Sequence, residues 1–186
     1  MEVTEPKTDT VNRPSGLVMA IPRAHLYGVD GFIRQINPVV FEDLAVRSWF
    51  ACVDAIRGDV EAKEVRLALI IKREKEYLVD GEGVMANLLS IPAESTSLAP
   101  GLESVRLLAQ IAGESIMGTK HKSVLIGYLN CDKEPSLRPL LVLVYEIEVP
   151  AGSLAPEGCS WIASDRLGGL SLDTLSQAIV KGLASR

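Results

Sequence analysis

The strongest constraint on the fold is an uninterrupted apolar run at residues 67–71, LALII. A strand with one solvated face alternates apolar and polar residues, whereas a strand covered on both faces is apolar throughout. The polar residues 72–75 then predict a turn, and residues 76–79 (EYLV) predict a returning strand, so the pair reads as a hairpin. A sheet that contains such a strand needs a layer of helices on each face.

The other segments predict a single mixed sheet with helices around it. Strands and helices intermix without regular βαβ alternation, so we expect an α/β fold with a mixed β-sheet covered on both sides. Residues 1–15 are polar and lack periodicity, which predicts a flexible tail before one domain at residues 16–186. The remaining strands are predicted at 17–21, 88–91, 123–129, 140–149 and 158–163, and the helices at 39–56, 101–118 and 172–183.

The net charge of the chain limits the kinds of partner that it is expected to bind. The chain has 186 residues and a formal net charge of -5, which disfavours a nucleic-acid backbone or an anionic membrane as partner. A small anionic ligand remains compatible with this charge, because one local cluster of cations is enough to bind it.

No apolar run approaches the roughly 20 residues of a membrane span, and the N-terminus lacks an apolar signal core. The three cysteines form no C-x-x-C pair, so we predict reduced thiols, no zinc site and a cytoplasmic location.

The segment 87–120 lies between two strong strand signals and contains the most regular helical pattern. Its apolar residues recur at offsets of three and four, which predicts an amphipathic helix that packs on the sheet. Gly118 is a plausible C-cap for this helix. The predicted buried face consists of Leu102, Val105, Leu108, Ala109, Ala112 and Ile116.

The order of these segments carries a resemblance to a known family. The relevant pieces are a strand that ends in Pro22-Arg23, the hairpin at 67–79, the strand at 88–92, residues 126–132 (IGYLNCD) followed closely by an apolar strand at 140–149, and the Trp161 strand before a final helix. In this order, over residues 16–183, the chain resembles the Nudix hydrolase superfamily. The resemblance implies a Nudix-like α-β-α sandwich with a mixed β-sheet.

The resemblance also implies a chemistry. Nudix hydrolases usually cleave a nucleoside diphosphate linked to another group, with Mg²⁺. The metal neutralises the pyrophosphate charge and activates water, so several carboxylates must lie on one helix face. In the family these carboxylates come from the motif G-x5-E-x7-R-E-U-x-E-E-x-G-U, which would fall on the helix at 101–118.

The helix of this chain departs from that motif. In one register Leu108-Ala109 stand at R-E and Ala112-Gly113 at E-E. Shifted by one residue, Gln110 stands at the E of R-E and Glu114 at the last E. Neither register retains two metal-binding carboxylates, so the motif is degenerate.

Three acids remain as candidate catalytic residues: Glu94, Glu103 and Glu114. Glu103 and Glu114 are eleven positions apart, a span of about 16 Å at the rise of an α-helix. They cannot share a metal without a bend, and only Glu94, in the loop before the helix, could complete a cluster with either.

Three functions are therefore compatible with the sequence. The first is a non-catalytic module, without a metal or cofactor, that binds a small anionic or nucleotide-like ligand or a protein partner in a cleft lined by Glu94, Arg106 and Tyr128. The second is a Mg²⁺-dependent hydrolase of nucleoside diphosphate derivatives that uses Glu94, Glu103 and Glu114. The third is an assembly role, such as a homodimer formed through residues 140–149 and the N-terminal strand.

Overall fold

The computed structural model describes residues 16–26, 28–34, 37–91 and 101–184, with His25 and Ser104 described by their backbone alone. The predicted tail at residues 1–15 and the loop that carries Glu94 lie outside the described residues. None of the described helices combines the length and the apolar character needed to cross a bilayer.

The described residues form nine strands and four α-helices. Two short 3₁₀ turns, Ala24–Leu26 and Leu167–Gly169, lie between them. The strands are β1 Leu17–Pro22, β2 Gly31–Ile33, β3 Trp49–Cys52, β4 Ala62–Arg73, β5 Glu76–Asp80, β6 Asn87–Ser90, β7 Ser123–Asn130, β8 Leu140–Glu148 and β9 Cys159–Ala163. The helices are α1 Pro38–Val46, α2 Val53–Arg57, α3 Leu102–Met117 and α4 Thr174–Ala184.

Strand β4, 12 residues long, is the central strand of the sheet. One edge pairs in parallel with β8 from Glu64 to Lys72. The other edge pairs in turn with β1, β6 and β5, all antiparallel. The main strand order is β2-β7-β8-β4-β1-β3, and β9 joins through β5. The sheet is therefore mixed, and the predicted hairpin of β4 and β5 is confirmed.

Both faces of β4 are buried, as the LALII run predicts. Leu67 and Leu69 point to one face, where they share a core with Val105 and Ala109 of α3. Ala68 and Ile70 point to the other face, where the core includes residues of α4, Leu175 and Ile179. The helix layer on each face is thus confirmed.

Helix α3 approaches the sheet closely through small residues. Val105 and Ala109 are fully buried, and Gly113 continues the same face one turn later. A Cβ atom at Gly113 would overlap the terminal methyl group of Ile147 on β8. Gly118 ends the helix in the left-handed conformation, with φ +70°, as its C-cap role predicts.

The prediction of one helix over residues 39–56 is wrong. Helix α1 ends at Val46, and the Ser48 hydroxyl donates a hydrogen bond to the carbonyl of Leu44 in its last turn. Residues Trp49–Cys52 instead form β3, which pairs antiparallel with β1. Backbone pairing with β1 outweighs the local helical pattern, because aromatic residues also favour strands.

The strands expected to mediate self-association lie inside the sheet. Strand β8 is paired with β4 on one side and with β7 on the other. Strand β1 lies between β3 and β4. Both strands are paired on each side among the described residues, so a homodimer, which stays a prediction, would need another surface.

Candidate functional site

The exposed face of α3 holds an ion pair between Glu103 and Arg106. Arg106 donates from Nε to Glu103 Oε2 over 3.0 Å and from a terminal nitrogen to Glu103 Oε1. This hydrogen bonding lowers the pKa of the Glu103 carboxyl. Glu103 therefore stays ionised, and both of its oxygens are engaged by a cation on the same helix.

Glu114 lies near the other end of α3. It is exposed, and the helix rise separates it from Glu103 by about 16 Å. The structure therefore does not bring these two acids together, and Glu94 lies outside the described residues. Within residues 16–91 and 101–184, as far as they are described, no three His, Cys, Asp or Glu side chains are grouped to hold a metal ion. The catalytic roles of Glu94, Glu103 and Glu114 stay predictions.

Tyr128 lies in the same core as Val105 and Ala109 of α3 and is only 1% exposed. Burial raises the pKa of its phenol. Tyr145 on β8 is also buried, and burial raises its pKa to about 12, although the nearby charge of Arg106 acts against that shift. A ligand on α3 would meet Arg106 directly, but it would reach Tyr128 only if the covering side chains moved.

A polar cluster that the sequence analysis missed lies at the start of β4. We call Arg23, Lys63, Asn130 and Asp132 the Lys63 cluster. Lys63 is 0% exposed, and its ammonium donates to Asn130 Oδ1 and to Asp132 Oδ1, the latter over 2.7 Å. Arg23 pairs with the same Asp132 oxygen at 2.6 Å. One carboxylate thus serves two cations that are almost completely removed from water.

The Lys63 cluster connects three parts of the chain. The Asn130 side-chain amide donates to the carbonyls of Val29, over 2.6 Å, and Leu26, over 3.3 Å. It therefore holds the loop after β1 against the end of β7. Two of the segments that carry the family resemblance, the Pro22-Arg23 turn and residues 126–132, meet here in space.

The sequence does contain a signal for the buried lysine. Successive side chains of a strand point to opposite faces, so Lys63 shares a face with Val65 and Leu67. Both of these neighbours are 0% exposed. Extending the alternation of the apolar run backwards would have predicted a buried ammonium group, although not its partner.

The environment shifts the pKa values of the two charged partners. Burial alone would raise the pKa of Asp132, but the hydrogen bonds from Lys63 and Arg23 outweigh it, and the pKa lies below the ordinary 3.8. Burial lowers the pKa of the Lys63 ammonium, and the single carboxylate of Asp132 offsets this only in part. Folding therefore favours the ionised form of Asp132. It disfavours the ionised form of Lys63, and the pairing with Asp132 offsets part of that cost.

The pKa of Asp132 predicts an acid-dependent loss of stability. A carboxyl whose pKa is lowered by folding stabilises the protein above its unfolded pKa, and this contribution is lost as the pH falls through the folded value. We expect the free energy of unfolding to fall less steeply in Asp132→Asn than in the wild type between about pH 5 and about pH 2. Urea unfolding at a series of pH values measures both slopes, and equal slopes would contradict the assignment.

Comparison with solved structures identifies the architecture. The chain matches the crystal structure of Tm1382, described as "a putative Nudix hydrolase", with a TM-score of 0.67 and 14% sequence identity. The match covers 90% of this chain and 97% of Tm1382. No protein-family profile and no curated protein sequence matches the chain. Because a fold can host many functions, a likeness at this identity establishes architecture alone. The chain therefore has a Nudix-like fold, an α-β-α sandwich built on a mixed sheet.

Proposed function

We propose that this chain is a non-catalytic Nudix-fold module that binds its ligand without hydrolysing it. The observation that carries the proposal is the packing of Gly113. In both registers of the Nudix motif on α3, position 113 belongs to the E-E pair. Here that position is buried, and a side chain would overlap Ile147 of the central sheet.

Ala109 supports the same conclusion. In the first register it replaces the glutamate of R-E, and it is 0% exposed within the core beneath α3. A carboxylate at either position would enter an apolar interior, where an unpaired charge is strongly disfavoured. In the first register, helix α3 thus turns two of the positions that supply acids in the family toward the sheet and uses them for packing.

The surface that remains favours a small anionic, nucleotide-like ligand. Arg106 is exposed, and its guanidinium already binds one carboxylate with two hydrogen bonds. A guanidinium binds phosphate with the same paired geometry, so a ligand phosphate could replace Glu103 as its partner. A protein partner that presents an acidic side chain would use the same contact. On the sequence grounds given above, we place this module in the cytoplasm.

A hydrolysis screen tests the proposal. The full chain is incubated with Mg²⁺ or Mn²⁺ and with nucleotide sugars, dinucleotides and nucleoside triphosphates, next to Glu94→Gln, Glu103→Gln and Glu114→Gln. We expect turnover no faster than the buffer blank for all four proteins. Robust turnover by the wild type that disappears in any of the three variants would overturn the proposal and establish the hydrolase.

Binding is measured separately by calorimetry with nucleoside diphosphates. We expect Arg106→Gln to weaken binding about 10- to 150-fold, because a hydrogen bond to a charged group contributes about 1.5–3 kcal/mol. Arg166→Gln removes another exposed arginine, in a turn after β9, and serves as the matched control. Equal affinity of the two variants would show that Arg106 does not contribute to binding.

A further inference from the structure

A cavity lies on the face of the sheet opposite α3. It has a volume of about 440 Å³ and is bounded by the end of α2, the start of β4, β6 and the start of α4. Its polar lining includes Arg57, Arg66, Ser136 and Thr174. Its apolar lining includes Leu88, Leu140 and Leu175. The cavity therefore combines two guanidinium groups with an apolar floor.

Arg66 is held in a fixed orientation at this cavity. Its Nε donates to Glu64 Oε1 over 2.7 Å, and its Nη2 donates to Glu64 Oε2 over 3.2 Å. Glu64 is only 1% exposed and also accepts a bond from the Ser90 hydroxyl, over 3.3 Å. The paired bonds use one edge of the guanidinium, and no acceptor among the described residues engages its Nη1 group. A planar group fixed in this way is prepared to bind a second oxyanion.

Arg57 supplies a second positive charge at the cavity. It is exposed at the end of α2, and no acid among the described residues lies within ion-pair distance of its guanidinium. The other acid of the lining, Asp173, is engaged because its carboxylate accepts the backbone N–H of Ser176 over 3.0 Å in the first turn of α4. The formal charges of the lining cancel, but the carboxylates are hydrogen-bonded whereas the guanidinium groups retain donors.

We propose that this cavity binds a small organic anion, with a phosphate or carboxylate head between Arg57 and Arg66 and an apolar body against Leu88 and Leu140. The hydroxyl group of Thr174, in the first turn of α4, supplies a further donor at the cavity. A head group at Arg66 completes the hydrogen bonding of a guanidinium that Glu64 already orients. The site is separate from α3 and does not depend on the function proposed for that helix.

Calorimetry on the full chain tests the site. The probes are phenyl phosphate and benzoate, which carry the two head groups, with phenol as the neutral control. We expect saturable 1:1 binding of at least one of the two anions, weakened by added salt, and no binding of phenol. The anion that binds identifies the head group, and saturable binding of phenol as tight as that of the anions would overturn the proposal.

Three variants locate the bound anion. Arg57→Gln keeps an exposed polar side chain, so the protein should fold, which circular dichroism checks, and we expect binding to weaken about tenfold. Arg166→Gln removes a charge elsewhere and should retain wild-type affinity, and Arg106→Gln reports whether the anion binds at α3 instead. Absence of saturable binding, or a loss in Arg106→Gln with none in Arg57→Gln, would overturn the proposal.

Discussion

Replacing Asp132 with alanine should lower the free energy of unfolding by about 2–3 kcal/mol, which is less than the loss of about 3–5 kcal/mol for a fully buried ion pair, because the Asp132 side chain is 31% exposed. Asp132 is the carboxylate that pairs with both Lys63 and Arg23, of which the first is 0% and the second 8% exposed. Without it, two almost fully buried positive charges lose the carboxylate that they share. Urea unfolding followed by tryptophan fluorescence measures the loss.

A double-mutant cycle separates the ion pair from simple loss of packing. Lys63→Met replaces the buried cation by an apolar side chain of similar length, so Asp132→Ala combined with Lys63→Met should lose less stability than the sum of the two single changes. Asp30→Ala is the matched control, because Asp30 pairs at 2.7 Å with an exposed lysine, Lys133. A loss in Asp132→Ala no larger than that in Asp30→Ala would show that the Lys63 cluster contributes little to stability.

The fold was predictable where local patterns and tertiary packing agree. The LALII run is apolar on both faces because α3 and α4 cover the two faces of β4. The 3.6-residue pattern of α3 is regular for the same reason, since one face of the helix is buried. In these segments, the apolar pattern of the sequence matches the faces that are buried in the structure, and this burial stabilises the fold.

The errors arise where a distant segment decides the outcome. Residues Trp49–Cys52 continue a helical pattern, but β1, about 30 residues earlier, offers them a strand partner. Lys63 and Asp132 are 69 residues apart, so local periodicity cannot pair them. Tyr128, predicted to line a cleft, is only 1% exposed, and the local sequence does not show whether a strand face is covered.

Two registers of the Nudix motif were equally acceptable from the sequence of α3. The missing information was the side of the helix on which Gly113 lies, since the predicted buried face included Ala109 but not Gly113. The structure supplies it, because Ala109 and Gly113 lie on the buried side while Glu103, Arg106 and Glu114 lie on the exposed side. In both registers, position 113 is therefore a buried member of the E-E pair.

Replacing Gly113 with glutamate should lower the free energy of unfolding by about 4 kcal/mol. The new side chain would overlap Ile147, and overpacking of a core typically costs 1–3 kcal/mol. Its carboxylate would also lose water, which adds the cost of an unpaired buried polar group, about 1–3 kcal/mol or more. Urea unfolding measures the loss, and soluble expression gives an earlier indication of it.

Gly113→Ala is the matched control for the backbone and for part of the volume. Alanine gains about 1 kcal/mol of helix propensity over glycine, whereas the terminal methyl of Ile147 must move aside at a cost of similar size. We therefore expect a net change within about 1 kcal/mol for alanine. The contrast between the two variants isolates the effect of a carboxylate on the buried face.

The outcome for Gly113→Glu bears directly on the proposed function. If the variant unfolds readily, α3 cannot present an acid at this position while it packs on β8. If it folds with wild-type stability and gains Mg²⁺-dependent hydrolysis, the helix can turn this position toward solvent. The buried packing of Gly113 would then not explain a lack of catalysis. The wild-type α3 would instead be a catalytic helix that lacks one of its acids.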